Sequence, residues 1–129
     1  MDRFARRVFT LAGVYGLVVL VPQYFLEERI GRDAPPPITH PEMFYGFLGV
    51  AIAWQLCFLV IARDPARFRP VMIPAILEKL AFGLPAVVLY AQRRISGAVL
   101  FFGAIDLLLA ALFLLAYRRT TARPSTATP

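Results

Sequence analysis

The sequence predicts an all-α fold: an antiparallel up-down bundle of four transmembrane helices with both termini in the cytoplasm. Three observations predict it. Of 129 residues, 59% are hydrophobic, against roughly 45–50% in a soluble domain by a count that includes glycine. The apolar residues fall into four runs, each long enough to cross roughly 30 Å of hydrocarbon as a helix. The arginines gather at the ends of those runs and alternate in density from one connection to the next, the asymmetry that orients membrane helices.

The first span is expected over about residues 8–27. Val8 to Leu26 is an uncharged stretch of 19 residues, and no small-residue cleavage site follows it, so it reads as a retained helix rather than a signal peptide. A polar loop comes next, in which Gly31 fits a helix C-terminus and Pro35-Pro36-Pro37 an extended segment. Thr39-His40-Pro41-Glu42 has the spacing of a capping box that opens the second span, about residues 42–62. Asp64-Pro65 ends that span. A short basic turn leads to the third, about residues 71–92, which carries Pro74 and Pro85. Pro85 and Gly83 together predict a kink there. Arg93-Arg94 closes it, and Ser96 is placed to cap the fourth span, about residues 97–117. Residues 1–119 thus form one membrane domain, and the Thr/Pro/Ala-rich residues 120–129 predict a disordered tail.

Nine arginines, at positions 3, 6, 7, 63, 67, 69, 118, 119 and 123, lie on one predicted side, against Arg29, Arg32, Arg93 and Arg94 on the other. The rich side is expected to be cytoplasmic. Short connections favour antiparallel neighbours. The pairs Ala12/Gly16 and Gly49/Ala53, each four residues apart, are candidates for close helix contact.

The net charge of +6 does not point to nucleic acid, because the basic residues flank apolar runs where anionic headgroups lie and no nucleic-acid-binding module is present. Cys57 is the only cysteine, which excludes an internal disulfide and zinc-type spacing and leaves a structural thiol. One lysine against thirteen arginines, with abundant Ala and Pro, points to a GC-rich bacterial genome and hence an inner-membrane location. No phosphate loop, dinucleotide fingerprint or nucleophile motif appears, so no cofactor and no metal are implied.

Function, if it exceeds architecture, must lie with the polar groups at membrane depth. A charge at the bilayer centre costs about 2.5–3.5 kcal/mol on insertion scales. By helical rise, Glu78 and Lys79 sit roughly 10–12 Å inside the third span and Asp106 roughly 16 Å inside the fourth. Gln55 lies roughly 10 Å inside the second, beside Trp54. The expected site is therefore Glu78, Lys79, Asp106, Gln55 and Trp54, with a Lys79–Asp106 ion pair. Glu78, about 100° around the helix from Lys79, would take a donor from Gln55 or Trp54. Were the third helix to start at Pro74 instead, Glu78 and Lys79 would lie near the interface, with Lys79 snorkelling outward. His40 and Glu42 are close in sequence, but one histidine is thin support for chemistry.

The four-span layout, the acidic outer loop and the residues Thr39-His40-Pro41-Glu42, Tyr45-Gly46-Phe47, Asp64-Pro65, Glu78-Lys79 and Asp106 resemble small bacterial DoxX-like membrane proteins and, more distantly, EXPERA-type bundles. The first resemblance implies a respiratory or redox-associated membrane subunit. The second implies polar side chains around an intramembrane lipid pocket. Small multidrug pumps carry their key carboxylate in the first span, and this first span has none.

Three functions are then open: an accessory or structural subunit whose buried charges fix helix register; a bundle that binds a lipid-like or quinone-like molecule; and a proton-coupled transporter or isomerase using Asp106 or Glu78. The partners expected are the lipid bilayer, a hydrophobic small molecule, and a second copy or another membrane protein.

Overall fold

The computed structural model describes residues 2–121. Their secondary structure is entirely helical: α1 (Asp2–Gln23), α2 (Glu27–Asp33), α3 (Pro41–Arg63), a short 3-10 turn (Arg69–Val71), α4 (Met72–Ala91) and α5 (Gly97–Arg119). Four of these, α1, α3, α4 and α5, are long and apolar enough to cross a membrane. Their outward faces are strongly apolar: Leu11, Val18, Met43, Val50, Leu77 and Phe101 are all at least 60% exposed. A belt of that kind needs lipid or protein to cover it.

Local chemistry sets the helix ends. Pro41 starts α3 at a position where its missing N–H costs nothing. The Thr39 capping box does not form: His40 is the N-cap residue and offers no side-chain cap, and its ring nitrogen lies 3.3 Å from the Glu42 carboxylate instead. Asp64 ends α3. Residue 93 adopts φ 58°, and the Arg94 amide donates to the Leu89 carbonyl at 2.8 Å, a left-handed turn that closes α4. Ser96 caps α5 as expected, its hydroxyl accepting from the Val99 amide. α4 runs through Pro85 without interruption.

The first span departs most from expectation. Helix α1 begins at Asp2, takes in the arginine cluster and stops at Gln23. Residues expected in the outer loop form the separate helix α2, with Glu27 and Glu28 in its first turn and Arg32 in its last, charges that suit the helix dipole. Gly31 lies inside α2 rather than ending a longer helix. At the other terminus, Thr120 follows α5 and is 1% exposed. Residues 122–129, the bulk of the expected tail, lie outside the described residues.

Two intimate helix pairs build the bundle. Helix α1 packs along α3 and α4 along α5; α1 also meets α5, whereas the backbones of α3 and α4 approach closely at few points. Each intimate pair closes over glycine. A Cβ added at Gly13 would come within 2.7 Å of Leu59, and one at Gly16 would strike the Gln55 side chain. A Cβ at Gly103 would lie 2.5 Å from that of Ala86, and one at Gly83 would lie 2.7 Å from Leu107. Gly49 and Ala53, the other small pair, make no such contact: both are exposed, and a Cβ at Gly49 would meet nothing within 4 Å.

The dry core sits toward one end. Phe9, Phe58 and Phe113, each 0% exposed, meet there. Phe9 stacks on Phe113 at 4.2 Å between centroids, and Phe58 stands edge-on to Phe113 at 5.0 Å. Each such pair adds about 0.5–1.5 kcal/mol beyond area burial. Arg69 ties the 3-10 turn to α5: its guanidinium lies 3.8 Å from the centre of the Tyr117 ring and its Nε donates to the Tyr117 carbonyl at 3.0 Å.

These contacts make a paired prediction. Gly103→Val forces α4 and α5 apart and should cost about 1–3 kcal/mol by overpacking, whereas Gly49→Val should be neutral. Thermal unfolding in mild detergent measures both; equal stabilities would contradict the helix pairing.

Candidate functional site

Above the aromatic core the bundle opens around three charged side chains. Lys79 on α4 turns inward and is 3% exposed. Its Nζ lies 3.5 Å from Glu78 Oε2 and 3.6 Å from Asp106 Oδ1 on α5. The third side of the ammonium faces the Phe58 ring, 5.1 Å from its centroid, a cation–π contact that roofs the dry core. Lys79 therefore points into the bundle rather than snorkelling toward an interface.

The expected Lys79–Asp106 pair is present. The expected separation of Glu78 from it is not: the flexible lysine stem spans the angular offset between neighbouring helical positions, so Lys79 reaches both carboxylates. Neither Gln55 nor Trp54 donates to Glu78. The Gln55 amide nitrogen donates instead to the Ala51 carbonyl of its own helix at 2.8 Å. Gln55 Oε1 and Glu78 Oε2 are buried without a hydrogen-bond donor. Glu78 Oε2 instead meets the Lys79 ammonium as an ion pair.

Glu78, Lys79, Asp106 and Gln55 line a single cavity of about 410 Å³. The remaining walls are largely apolar and come from every long helix, among them Tyr15, Val19 and Leu20 of α1, Phe47 of α3, Phe82 of α4 and Phe102 of α5. Leu26, just before α2, and Ile30 of α2 line one end. Helix α2 is held there by Tyr45, whose hydroxyl donates to Glu27 at 2.8 Å and whose ring meets Tyr24 edge-on at 4.9 Å.

Trp54 does not share this cavity. It packs near Phe58, 6.3 Å between ring centroids, and lines a second, outer groove of about 770 Å³ between α3 and α4. Phe47, Ala51, Glu78 and Phe82 border both spaces. The contribution of α1 was missed by sequence reasoning. Tyr15, Gly16 and Gln23 are uncharged, and only Tyr15 and Gln23, as polar-tipped residues in an apolar run, gave any signal at all.

Among the described residues no group of three or more His, Cys, Asp or Glu side chains is arranged to hold a metal ion. No family model matches the chain, and no curated protein and no solved structure matches it either.

The triad predicts a specific stability pattern. Lys79→Met leaves two partly buried carboxylates without a cation and should cost up to about 3–5 kcal/mol. Adding Asp106→Asn to that variant should restore part of the loss. Unfolding in detergent checks this, and a double variant no more stable than the single one would show that Lys79 and Asp106 do not interact.

Proposed function

We propose that this is a multi-pass protein of a bacterial inner membrane, an antiparallel bundle with both termini cytoplasmic, that binds a lipid-like or quinone-like molecule in the cavity beside Lys79. The observation that carries the reading is the cavity itself: a space of about 410 Å³, apolar over most of its wall, with its polar groups gathered at one place. Ligand sites have this composition, a large apolar surface with a few convergent polar groups that fix orientation. Its size falls within the range of about 300–1,000 Å³ typical of small-molecule sites.

The orientation rests on the nine arginines of the predicted cytoplasmic side. Under that orientation the aromatic core lies in the cytoplasmic half and the cavity faces the outer half. The resemblance to EXPERA-type bundles implies a pocket of this kind, and the resemblance to DoxX-like proteins a redox-associated membrane subunit.

A second reading has one observation in its favour. Both carboxylates already engage Lys79, so the triad also suits an accessory subunit whose charges lock helix register. The two readings differ in what the cavity does.

Ala51 stands at the junction of cavity and groove and separates them experimentally. In the binding reading, native mass spectrometry of protein extracted in mild detergent detects a bound amphiphile, and Ala51→Phe removes it while the unfolding temperature stays within a few degrees. An accessory subunit would show no bound species in either form. Reporter fusions within residues 64–68 and after residue 120 should both read cytoplasmic.

A further inference from the structure

Eight of the nine arginines on the predicted cytoplasmic side are among the described residues. They come from the first turns of α1, from the end of α3 and the segment that follows it, and from the last turn of α5. Those three parts of the chain meet at the aromatic core: Phe4, Phe68 and Tyr117, one from each, pack against the cluster that holds Phe9, Phe58 and Phe113.

Each of these rings carries a guanidinium. Arg69 lies over Tyr117 at 3.8 Å from the ring centre, Arg119 over Phe4 at 4.8 Å and Arg67 over Phe68 at 5.3 Å. The first two contacts join different parts of the chain, so the packing of the bundle fixes where those charges stand. Arg69 is half-buried and spends only its Nε, on the Tyr117 carbonyl. Its two Nη groups make no hydrogen bond or ion pair with the described residues.

The charge at this end is not balanced from within. The ion pairs of the described residues lie elsewhere, at Arg29–Asp33, at His40–Glu42 and around Lys79. Asp2 and Asp64 are the only carboxylates in these parts of the sequence, and Asp64 accepts from the Arg67 backbone amide at 3.3 Å. Guanidinium forks match phosphate oxygens, and side chains held in place beforehand lose less freedom on binding. The same helices expose Leu11 of α1, Ile73 of α4 and Leu114 and Leu115 of α5 to the surroundings. A soluble polyanion has no use for that apolar surface, whereas acyl chains do.

We propose that this end of the bundle is a binding site for anionic phospholipid, with headgroup phosphate paired to Arg69 and Arg119 and acyl chains lying along the exposed leucines of α5. The site is separate from the cavity beside Lys79 and does not depend on a ligand there.

The full chain is delipidated in mild detergent and titrated with phosphatidylglycerol and with phosphatidylcholine of the same acyl chains, and bound lipid is read by native mass spectrometry. Phosphatidylglycerol should bind at concentrations at least about tenfold below phosphatidylcholine. Arg69→Gln and Arg119→Gln should each weaken phosphatidylglycerol binding about fivefold, whereas Arg93→Gln and Arg94→Gln, at the opposite end, should leave it within about twofold. Arg119 is exposed, so its variant tests the site even if Arg69→Gln loosens the turn; helical circular dichroism checks each fold. Equal affinity for the two lipids overturns the proposal. A loss at Arg93 or Arg94 as large as at Arg69 and Arg119 also overturns it, since that marks a general charge effect without a site. Displacement of the lipid by equimolar glycerol phosphate would assign the site to a free phosphate and overturn the lipid assignment.

Discussion

Lys79 carries the only side-chain ammonium in the sequence, and the fold places it where solvent does not reach. Its side chain is 4% exposed, and those of Glu78 and Asp106 are 18% and 16% exposed. Each of these charges alone would be expensive in hydrocarbon. Together they offset one another, and that requirement fixes a good deal of geometry. Asp106 must face α4, which sets the rotation of α5. Glu78 must stand on the same side as Lys79, which turns the adjoining face of α4 toward α3. The close glycine contacts of α4 with α5 at Gly83 and Gly103 are the packing that makes the pairing distance short enough.

The triad also divides the bundle into two kinds of interior. On one side Phe9, Phe58 and Phe113 fill the space, and the ammonium rests on the Phe58 ring. On the other side the helices diverge, α2 folds across the end, and a cavity is left. Small residues decide where the helices meet and a few large ones decide where they cannot. The sparse backbone contact between α3 and α4 is the consequence that matters for function, because it leaves the cavity and the outer groove in register at Glu78.

Much of this was readable in the sequence where the determining chemistry is local. The second, third and fourth helices could be bounded closely because Pro41, Asp64-Pro65, Arg93-Arg94 and Ser96 act on the backbone beside them. The Lys79–Asp106 pair was readable because a charge at membrane depth has few ways to be satisfied. The first helix was not bounded correctly. Its arginines permit helix as readily as they mark an interface, and the α2 segment has helix-favouring charge placement that the proline-rich stretch after it obscured. The cavity wall from α1 was unreadable for a different reason: which uncharged face of a helix turns inward is a tertiary outcome. The pairs Ala12/Gly16 and Gly49/Ala53 show this plainly. Their spacing is the same, yet Ala12 and Gly16 are buried and Gly49 and Ala53 are not. Trp54 and Gln55, adjacent in sequence, point to different spaces, one lining the outer groove and the other the cavity.

The ammonium between two carboxylates is the contact on which both the helix rotations and the cavity depend. A chain with a single lysine gives a single side-chain 15N resonance, so no assignment is needed. In protein labelled with 13C and 15N and reconstituted into lipid bilayers, solid-state NMR dipolar dephasing reads the distance from that nitrogen to nearby carboxyl carbons. Dephasing from both an aspartate and a glutamate carboxyl carbon, each lost in turn in Asp106→Asn and Glu78→Gln, is the predicted result. A lysine nitrogen with no carboxyl carbon within about 5 Å, or one in contact with bulk water, would contradict it.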